Sequence, residues 1–149
     1  MPERVMTNPP APPTSQAVRP AIGLLAGIGV ALLLIAVGTV VAGVFTLHGA
    51  DALTKPFPAG YVWGKLAAAA VGALAGGFTT SRITAGRSLF TVVLLALILF
   101  VAAAGPAVRG AGAFPNDPTW FPLTLAAVEL LGVLLGGAVE RALESRGAA

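Results

Sequence analysis

Long apolar runs separated by short polar segments are the main pattern of this sequence. Four runs lie at about 21–47, 61–81, 88–104 and 120–139, each close to the roughly 20 residues that a helix needs to cross a bilayer. A helix satisfies its backbone hydrogen bonds within one segment, which makes it the favoured structure in lipid. The pattern predicts an all-α polytopic membrane protein whose transmembrane domain of four helices covers residues 21–142.

The segments outside these runs predict two short tails. Residues 1–20 hold six of the twelve prolines and lack apolar periodicity, a composition typical of a disordered chain. The first apolar run is too long for the core of a signal peptide, so we expect it to be retained as a membrane span. Residues 143–149 form the second tail, and the stretch "ERALESRGAA" (140–149) predicts a short amphipathic extension of the fourth helix.

The distribution of basic residues predicts an orientation. The two tails and the middle connection carry six of the nine basic residues, and the other two connections with their adjoining helix end carry three. Because basic residues concentrate on the cytoplasmic side, we expect both termini in the cytoplasm. Tyr61, Trp63 and Trp120 lie on the opposite side, where aromatic residues anchor helices at the membrane interface.

The composition strengthens the membrane interpretation. Of the 149 residues, 56% are hydrophobic and 10% are charged, whereas soluble domains carry about 25% charged residues. Mean hydropathy is +0.89 and the isoelectric point is about 10.2. Nucleic acid is not the expected partner, because the basic residues are scattered and flank apolar runs. The absence of cysteine excludes disulfides and thiolate metal sites.

Two of the connections resemble each other. The stretches "FPAGYVWGKLAAAAVGAL" (57–74) and "FPNDPTWFPLTLAAVELL" (114–131) align without gaps at a shift of 57, with eight identities in eighteen positions. This similarity favours two duplicated helical hairpins in parallel orientation, a known way to build membrane proteins. The alternative is that each connection independently uses proline to end a segment and tryptophan to anchor it.

Small residues at spacings of three and four form stripes along three of the predicted helices. Such stripes allow the backbones of two helices to approach closely in lipid. We expect them to pack the helices within one chain, and homodimerisation is the alternative. The glycine pairs are Gly23 with Gly27, Gly72 with Gly76, and Gly132 with Gly136.

Glu129 is the main candidate for a polar site inside the membrane. It lies nine residues after Trp120, near the middle of a span, where a charged carboxylate costs about 2.5–3.5 kcal/mol. We therefore expect an uncharged Glu129 that points into the bundle and donates to the Thr39 hydroxyl, which has a similar predicted depth, or to a backbone carbonyl near Gly38. Lys65 is a less favoured partner, because it lies only two residues past Trp63.

Other polar residues predict little chemistry. His48 beside Asp51 has no second histidine or cysteine with which to complete a metal or haem site. Asp51 and Asp117 are candidates for a cation site, although carboxylates in connections are usually just solvated. We expect no catalytic residue, cofactor or metal.

Two stretches carry a resemblance to known proteins. "GKLAAAAVGALAGGFTTSRITAGR" and "PTWFPLTLAAVELLGVLLGGAVERAL" resemble a family of small bacterial four-helix inner-membrane proteins of unknown function. The resemblance covers roughly residues 20–142. It implies a four-helix fold in a bacterial inner membrane and no activity.

These patterns favour a non-enzymatic integral membrane protein, acting as an accessory or assembly subunit that packs through its glycine-rich faces. The connections are too short to form a soluble catalytic domain. The expected partners are the lipid bilayer and a larger membrane-protein complex or a second copy. The alternative is a small oligomeric transporter or channel in which Glu129 binds a proton or cation. A third interpretation is an intramembrane enzyme or pigment-binding subunit that uses His48 or Glu129.

Overall fold

Four helices make up the described parts of the protein. The computed structural model describes residues 13–47, 57–85, 89–108 and 116–147, with backbone alone for residues 13–17 and 106–108. The helices are α1 (Pro13–Thr46), α2 (Ala59–Ile83), α3 (Leu89–Val108) and α4 (Phe121–Gly147). The predicted all-α architecture of four helices is therefore confirmed.

Three of the helices are long and apolar enough to cross a membrane, namely α1, α2 and α4. Helix α3, Leu89–Val108, is the shortest of the four. Its 20 residues span about 30 Å at ~1.5 Å per residue, close to the ~30 Å of a hydrocarbon core. By the length and composition of its helices, the chain is a multi-pass membrane protein.

Helices α1 and α4 extend furthest beyond the predicted spans. Helix α1 begins at Pro13, so residues 13–20 are helical rather than part of the tail. Pro13 is tolerated because the first turn of a helix does not need its N–H group, whereas Pro20 leaves one carbonyl of the preceding turn without its helical donor. Helix α4 continues past the predicted end of the span at Val139 to Gly147, through residues with good helix propensity, which confirms the predicted extension of the fourth helix. The prediction of disorder for residues 1–12 lies outside the described residues.

Helices α1 and α2 form an antiparallel hairpin. Gly23 of α1 lies against Thr84, just past the end of α2, and Gly60 at the start of α2 lies against Thr46. Along the pair, a glycine on one helix faces an alanine on the other, as where Gly38 of α1 packs on Ala68 of α2. Small side chains on both helices therefore bring the two backbones close together over their length.

Helices α2 and α4 lie side by side and run parallel. Lys65 near the start of α2 contacts Asp117, just before α4, and Ser81 near the end of α2 bonds to Gly137 of α4. Helix α3 packs against α4, with Val92 close to Gly137. Helix α2 packs on both α1 and α4, whereas α3 packs mainly on α4 and less extensively on α1 and α2; α1 and α4 make no contact within the described residues.

The core is thin and contains mostly small residues. One cluster joins the four helices, with Ala31, Ala73, Val92, Leu95, Ala96, Leu99 and Val133 buried. A second cluster, Val62, Leu66 and Phe121, closes the bundle where α2 and α4 begin. Large apolar side chains cover the outside instead, including Val44 and Phe45 of α1, which are 71% and 75% exposed. This distribution suits a protein surrounded by lipid.

Candidate functional site

Most of the buried polar side chains among the described residues lie along the interface between α2 and α4, at three depths, whereas Thr91 lies on α3. We call the first group the aromatic end. It comprises Phe57, Tyr61, Trp63, Lys65, Asp117, Trp120 and Phe121. Glu129 lies in the middle of α4. We call the third group the carboxylate end, which comprises Thr80, Ser81, Thr84 and Glu140.

The two ends are separated by the thickness of a membrane. Glu140 follows Trp120 by twenty residues, which is about 30 Å along a helix at ~1.5 Å per residue. The hydrocarbon core of a bilayer is about 30 Å thick. The aromatic end and the carboxylate end therefore match the two boundaries of the hydrocarbon layer.

A buried ion pair holds the aromatic end together. The Lys65 ammonium donates a hydrogen bond of 2.7 Å to Oδ2 of Asp117, and the two side chains are 14% and 1% exposed. The same ammonium lies 4.4 Å from the ring centroid of Phe121, 5.4 Å from that of Tyr61 and 5.6 Å from that of Phe57. Rings at these distances stabilise a cation, so within the described residues Lys65 contacts one carboxylate and three aromatic side chains.

Backbone contacts fix the position of this pair. The Phe57 N–H donates to the carbonyl of Asn116 at 3.0 Å, which joins the segment before α2 to the segment before α4. Asp117 Oδ1 is buried and has no hydrogen-bond partner among the described residues. The starts of the two central helices are thus tied by one backbone bond and one ion pair.

This pair was not predicted from the sequence. Lys65 was a less favoured partner for Glu129 and Asp117 a candidate cation ligand, whereas in the structure the Lys65 ammonium itself binds the Asp117 carboxylate. Asp51 and His48 lie outside the described residues. A usable signal existed, because Lys65 and Asp117 are opposite charges within three residues of Trp63 and Trp120 respectively.

The predicted aromatic anchors lie at the same end of the bundle. The rings of Trp63 and Trp120 are 6.0 Å apart, and their side chains are 63% and 44% exposed. Tyr61 meets Phe57 edge to face at 4.9 Å. An exposed aromatic cluster at the depth where two spans begin is typical of a membrane interface.

Glu129 lies on the buried face of α4 and is 7% exposed. Its carboxyl group makes no hydrogen bond with the described residues. The predicted contact with Thr39 is wrong, because Thr39 belongs to α1 and helix α2 lies between α1 and α4. The two residues share a depth, but depth alone does not decide which helices are neighbours.

Four of the six predicted packing glycines lie at the α1–α2 contact. A methyl group added at Gly23 would lie 2.9 Å from Cγ2 of Thr84. One added at Gly72 would lie 2.8 Å from the Ala31 carbonyl oxygen, and one at Gly76 would lie 2.8 Å from the carbonyl oxygen of Gly27. These distances are shorter than ordinary van der Waals contact, so the backbones touch.

The other two predicted glycines face α2 from α4. A methyl group added at Gly132 would lie 2.8 Å from Cβ of Ala73, and one added at Gly136 would lie 2.9 Å from the carbonyl carbon of Leu74. Gly77, which is not among the six predicted glycines, completes this contact. A methyl group there would lie 2.8 Å from Cα of Val133.

Hydroxyl groups connect three helices at the carboxylate end. Thr80 donates to the carbonyl of Gly23 on α1 at 3.1 Å. Ser81 Oγ lies 3.1 Å from Oε2 of Glu140 and 3.4 Å from the carbonyl oxygen of Gly137. A serine has one hydroxyl proton, and the shorter, charge-assisted bond to the carboxylate is the stronger of the two. Glu140, only 3% exposed, is therefore part of the helix contact.

A cleft opens beside this cluster. It has a volume of about 370 Å³ and is lined by Phe78, Arg82, Glu140, Leu143 and Glu144. Both signs of charge and two apolar side chains therefore face one space. In the described part of the chain, no group of three or more histidine, aspartate or glutamate side chains is placed to hold a metal ion.

Comparison with known proteins gives no match to a protein family, to a curated protein or to a solved structure. The resemblance noted from the sequence therefore does not identify a family. The chain is a four-helix all-α protein with three apolar helices of membrane-spanning length.

Proposed function

We propose that the chain is a non-enzymatic integral membrane protein that serves as an accessory or assembly subunit of another membrane protein. The observation that carries this proposal is the closeness of α2 and α4. At Gly77 and Gly136 the neighbouring backbone occupies the space of a single methyl group. A water molecule needs a cavity about one probe sphere in size, so a pathway for ions or solutes does not fit along this interface.

The polar groups support the same proposal, because most of them are used to join helices. Lys65 is paired with Asp117, and Ser81 with Glu140. The first pair connects α2 to the segment before α4, and the second connects α2 to α4 itself. These interactions stabilise one arrangement of the bundle and require no substrate.

The outer face of α1 is the surface that we propose for a partner. Helix α1 touches the bundle mainly through α2, and Leu25 and Leu33 on its outer side are 69% and 63% exposed. Gly29 on the same helix has nothing within 4 Å of the position of an added methyl group. In lipid, a helix gains its contacts through close packing at such small residues.

Site-specific photo-crosslinking tests this proposal. A photoreactive residue at Leu33 of α1 is compared with one at Leu97 of α3, which is 53% exposed. We expect Leu33 to give one discrete adduct with a different membrane protein, and Leu97 to give lipid adducts only. The same protein should co-purify in mild detergent. Adducts of the chain with itself alone, from a clean homo-oligomer, would contradict the proposal.

A small oligomeric transporter or channel is the second candidate. Glu129 favours it, because a carboxyl group buried at mid-span with no hydrogen bond to the described residues is a functional-site hypothesis by default. In proteoliposomes, a pH-dependent flux that Glu129→Gln abolishes would establish this function. Absence of flux with the unmodified chain would reject it.

We also propose that the two hairpins arose by duplication. Parallel α2 and α4 support this, as does the pattern Gly-x-Leu-x-Gly-Gly, which occurs at 72–77 and again at 132–137. The two copies of this pattern are 60 residues apart, whereas Trp63 and Trp120 are 57 residues apart. Duplication therefore requires that the second hairpin gained three residues between its tryptophan and its glycines.

Cytoplasmic termini in a bacterial inner membrane complete the proposal; the orientation is based on the basic residues and the bacterial membrane on the resemblance of the sequence alone. Reporter fusions at the two termini test this orientation. Reporters active only on the outer side would contradict it.

A further inference from the structure

The cleft at the carboxylate end has the size and the depth of a lipid headgroup site. Its volume of about 370 Å³ falls in the range of roughly 300–1,000 Å³ that is typical of small-molecule sites. Arg82 lies in the last turn of α2. Glu140 lies about 30 Å along the helix from Trp120, at ~1.5 Å per residue. The cleft therefore lies where the hydrocarbon layer ends and headgroups begin.

The lining residues match the parts of a zwitterionic lipid. Arg82 offers a guanidinium group, whose planar set of N–H donors fits phosphate oxygens. Glu140 and Glu144 offer carboxylates, which accept hydrogen bonds from an ammonium group. Phe78 and Leu143 supply an apolar wall beside these charges, against which the start of an acyl chain can lie.

Glu140 favours one kind of headgroup over another. Its side chain is 3% exposed, and one carboxylate oxygen already accepts a bond from Ser81. Little space is left at this carboxylate, and a group that enters it is stabilised only if it donates a hydrogen bond to the free carboxylate oxygen. A primary ammonium has three N–H donors, like that of lysine, whereas a trimethylammonium group is larger and has none.

We propose that this cleft binds the headgroup of phosphatidylethanolamine, with Arg82 on the phosphate and with Glu140 and Glu144 on the primary ammonium. The proposal does not depend on the accessory role, because a lipid of the surrounding bilayer is available in either case. Arg141 lies outside the site, since its Nε donates to the carbonyl of Gly137 at 3.1 Å.

Native mass spectrometry of the full-length chain tests the proposal. The protein is released from micelles that contain equal amounts of phosphatidylethanolamine and phosphatidylcholine with identical acyl chains, and the bound lipids are counted. We expect retained phosphatidylethanolamine to exceed phosphatidylcholine by about tenfold, the factor expected for one charge-assisted hydrogen bond. Equal retention of the two lipids by the unmodified chain would overturn the proposal.

Three variants sharpen this experiment. Glu144 is exposed, and Glu144→Gln leaves the Ser81–Glu140 bond intact. This variant should therefore lower the selectivity for phosphatidylethanolamine over phosphatidylcholine without unfolding the chain. Arg82→Gln should reduce retention of both lipids. Arg146→Gln, a charge change on the same helix outside the cleft, is the matched control and should behave as the unmodified chain. Unchanged selectivity in Glu144→Gln and unchanged retention in Arg82→Gln would assign the lipid to another surface and overturn the proposal.

Discussion

The contact between α2 and α4 depends on the absence of a side chain at Gly77. A methyl group added there would lie 2.8 Å from both Cα and the carbonyl carbon of Val133, whereas carbon atoms prefer roughly 3.5–4.0 Å. Both atoms belong to the backbone of α4 and cannot rotate away. Gly77→Ala therefore forces the two helices apart by about 1 Å.

The cost of this separation can be isolated with a second glycine. Overpacking a well-packed core costs about 1–3 kcal/mol, whereas alanine in place of glycine gains about 0.8–1.0 kcal/mol in helix propensity. Gly29→Ala carries the same propensity gain, and nothing lies within 4 Å of its added methyl group. The difference between the two variants therefore measures the steric cost alone, and we expect about 1–3 kcal/mol.

Reversible unfolding in mixed micelles provides the measurement. The fraction of denaturing detergent is increased, and helix content is followed by far-ultraviolet circular dichroism for both variants and the unmodified chain. Gly77→Ala should unfold at the lowest detergent fraction and Gly29→Ala at the highest. Equal stability of Gly77→Ala and Gly29→Ala would refute the close approach of α2 and α4, and with it the exclusion of a pathway between them.

Three further predictions concern the polar residues. Lys65→Ala leaves the Asp117 carboxylate buried and unpaired, so it should cost about 3–5 kcal/mol in the same titration, whereas Lys65→Met combined with Asp117→Leu should recover most of the loss. A double variant as unstable as the single one would contradict this. Ser81→Ala removes the hydroxyl donor to Glu140 and should cost about 1–3 kcal/mol, and an unchanged unfolding midpoint would argue against that bond. Glu129→Gln should leave both the unfolding midpoint and co-purification with a partner unchanged, and loss of either would favour a titrating or ion-binding role.

The number and approximate location of the helices could be predicted from the sequence. Each apolar run must satisfy its backbone within itself in lipid, so hydropathy alone locates the spans. The ends were less predictable, because residues 13–20 of α1 are helical before the apolar run and α3 continues four residues past its predicted end. Polarity marks where the lipid ends, whereas helix propensity and capping decide where the helix ends.

The neighbours of each polar residue could not be predicted from depth. Thr39 and Glu129 have similar depths, but α2 lies between their helices. The order of the helices across the bundle is a property of the folded chain that hydropathy does not contain. Similarly, Gly77 adjoins the predicted Gly76 but faces α4 instead of α1, because consecutive residues on a helix point about 100° apart.

Accessibility of the α2–α4 interface to water tests the proposed function most directly. The chain has no native cysteine, so Val133→Cys places a single thiol at a position that is 0% exposed, one turn after Glu129. Trp63→Cys, at the aromatic end, is the exposed control. In intact membranes treated with a water-soluble thiol reagent, we expect rapid modification of Trp63→Cys and none of Val133→Cys. Rapid modification of Val133→Cys would reveal water between α2 and α4, contradict the closed packing bundle and favour a transporter or channel.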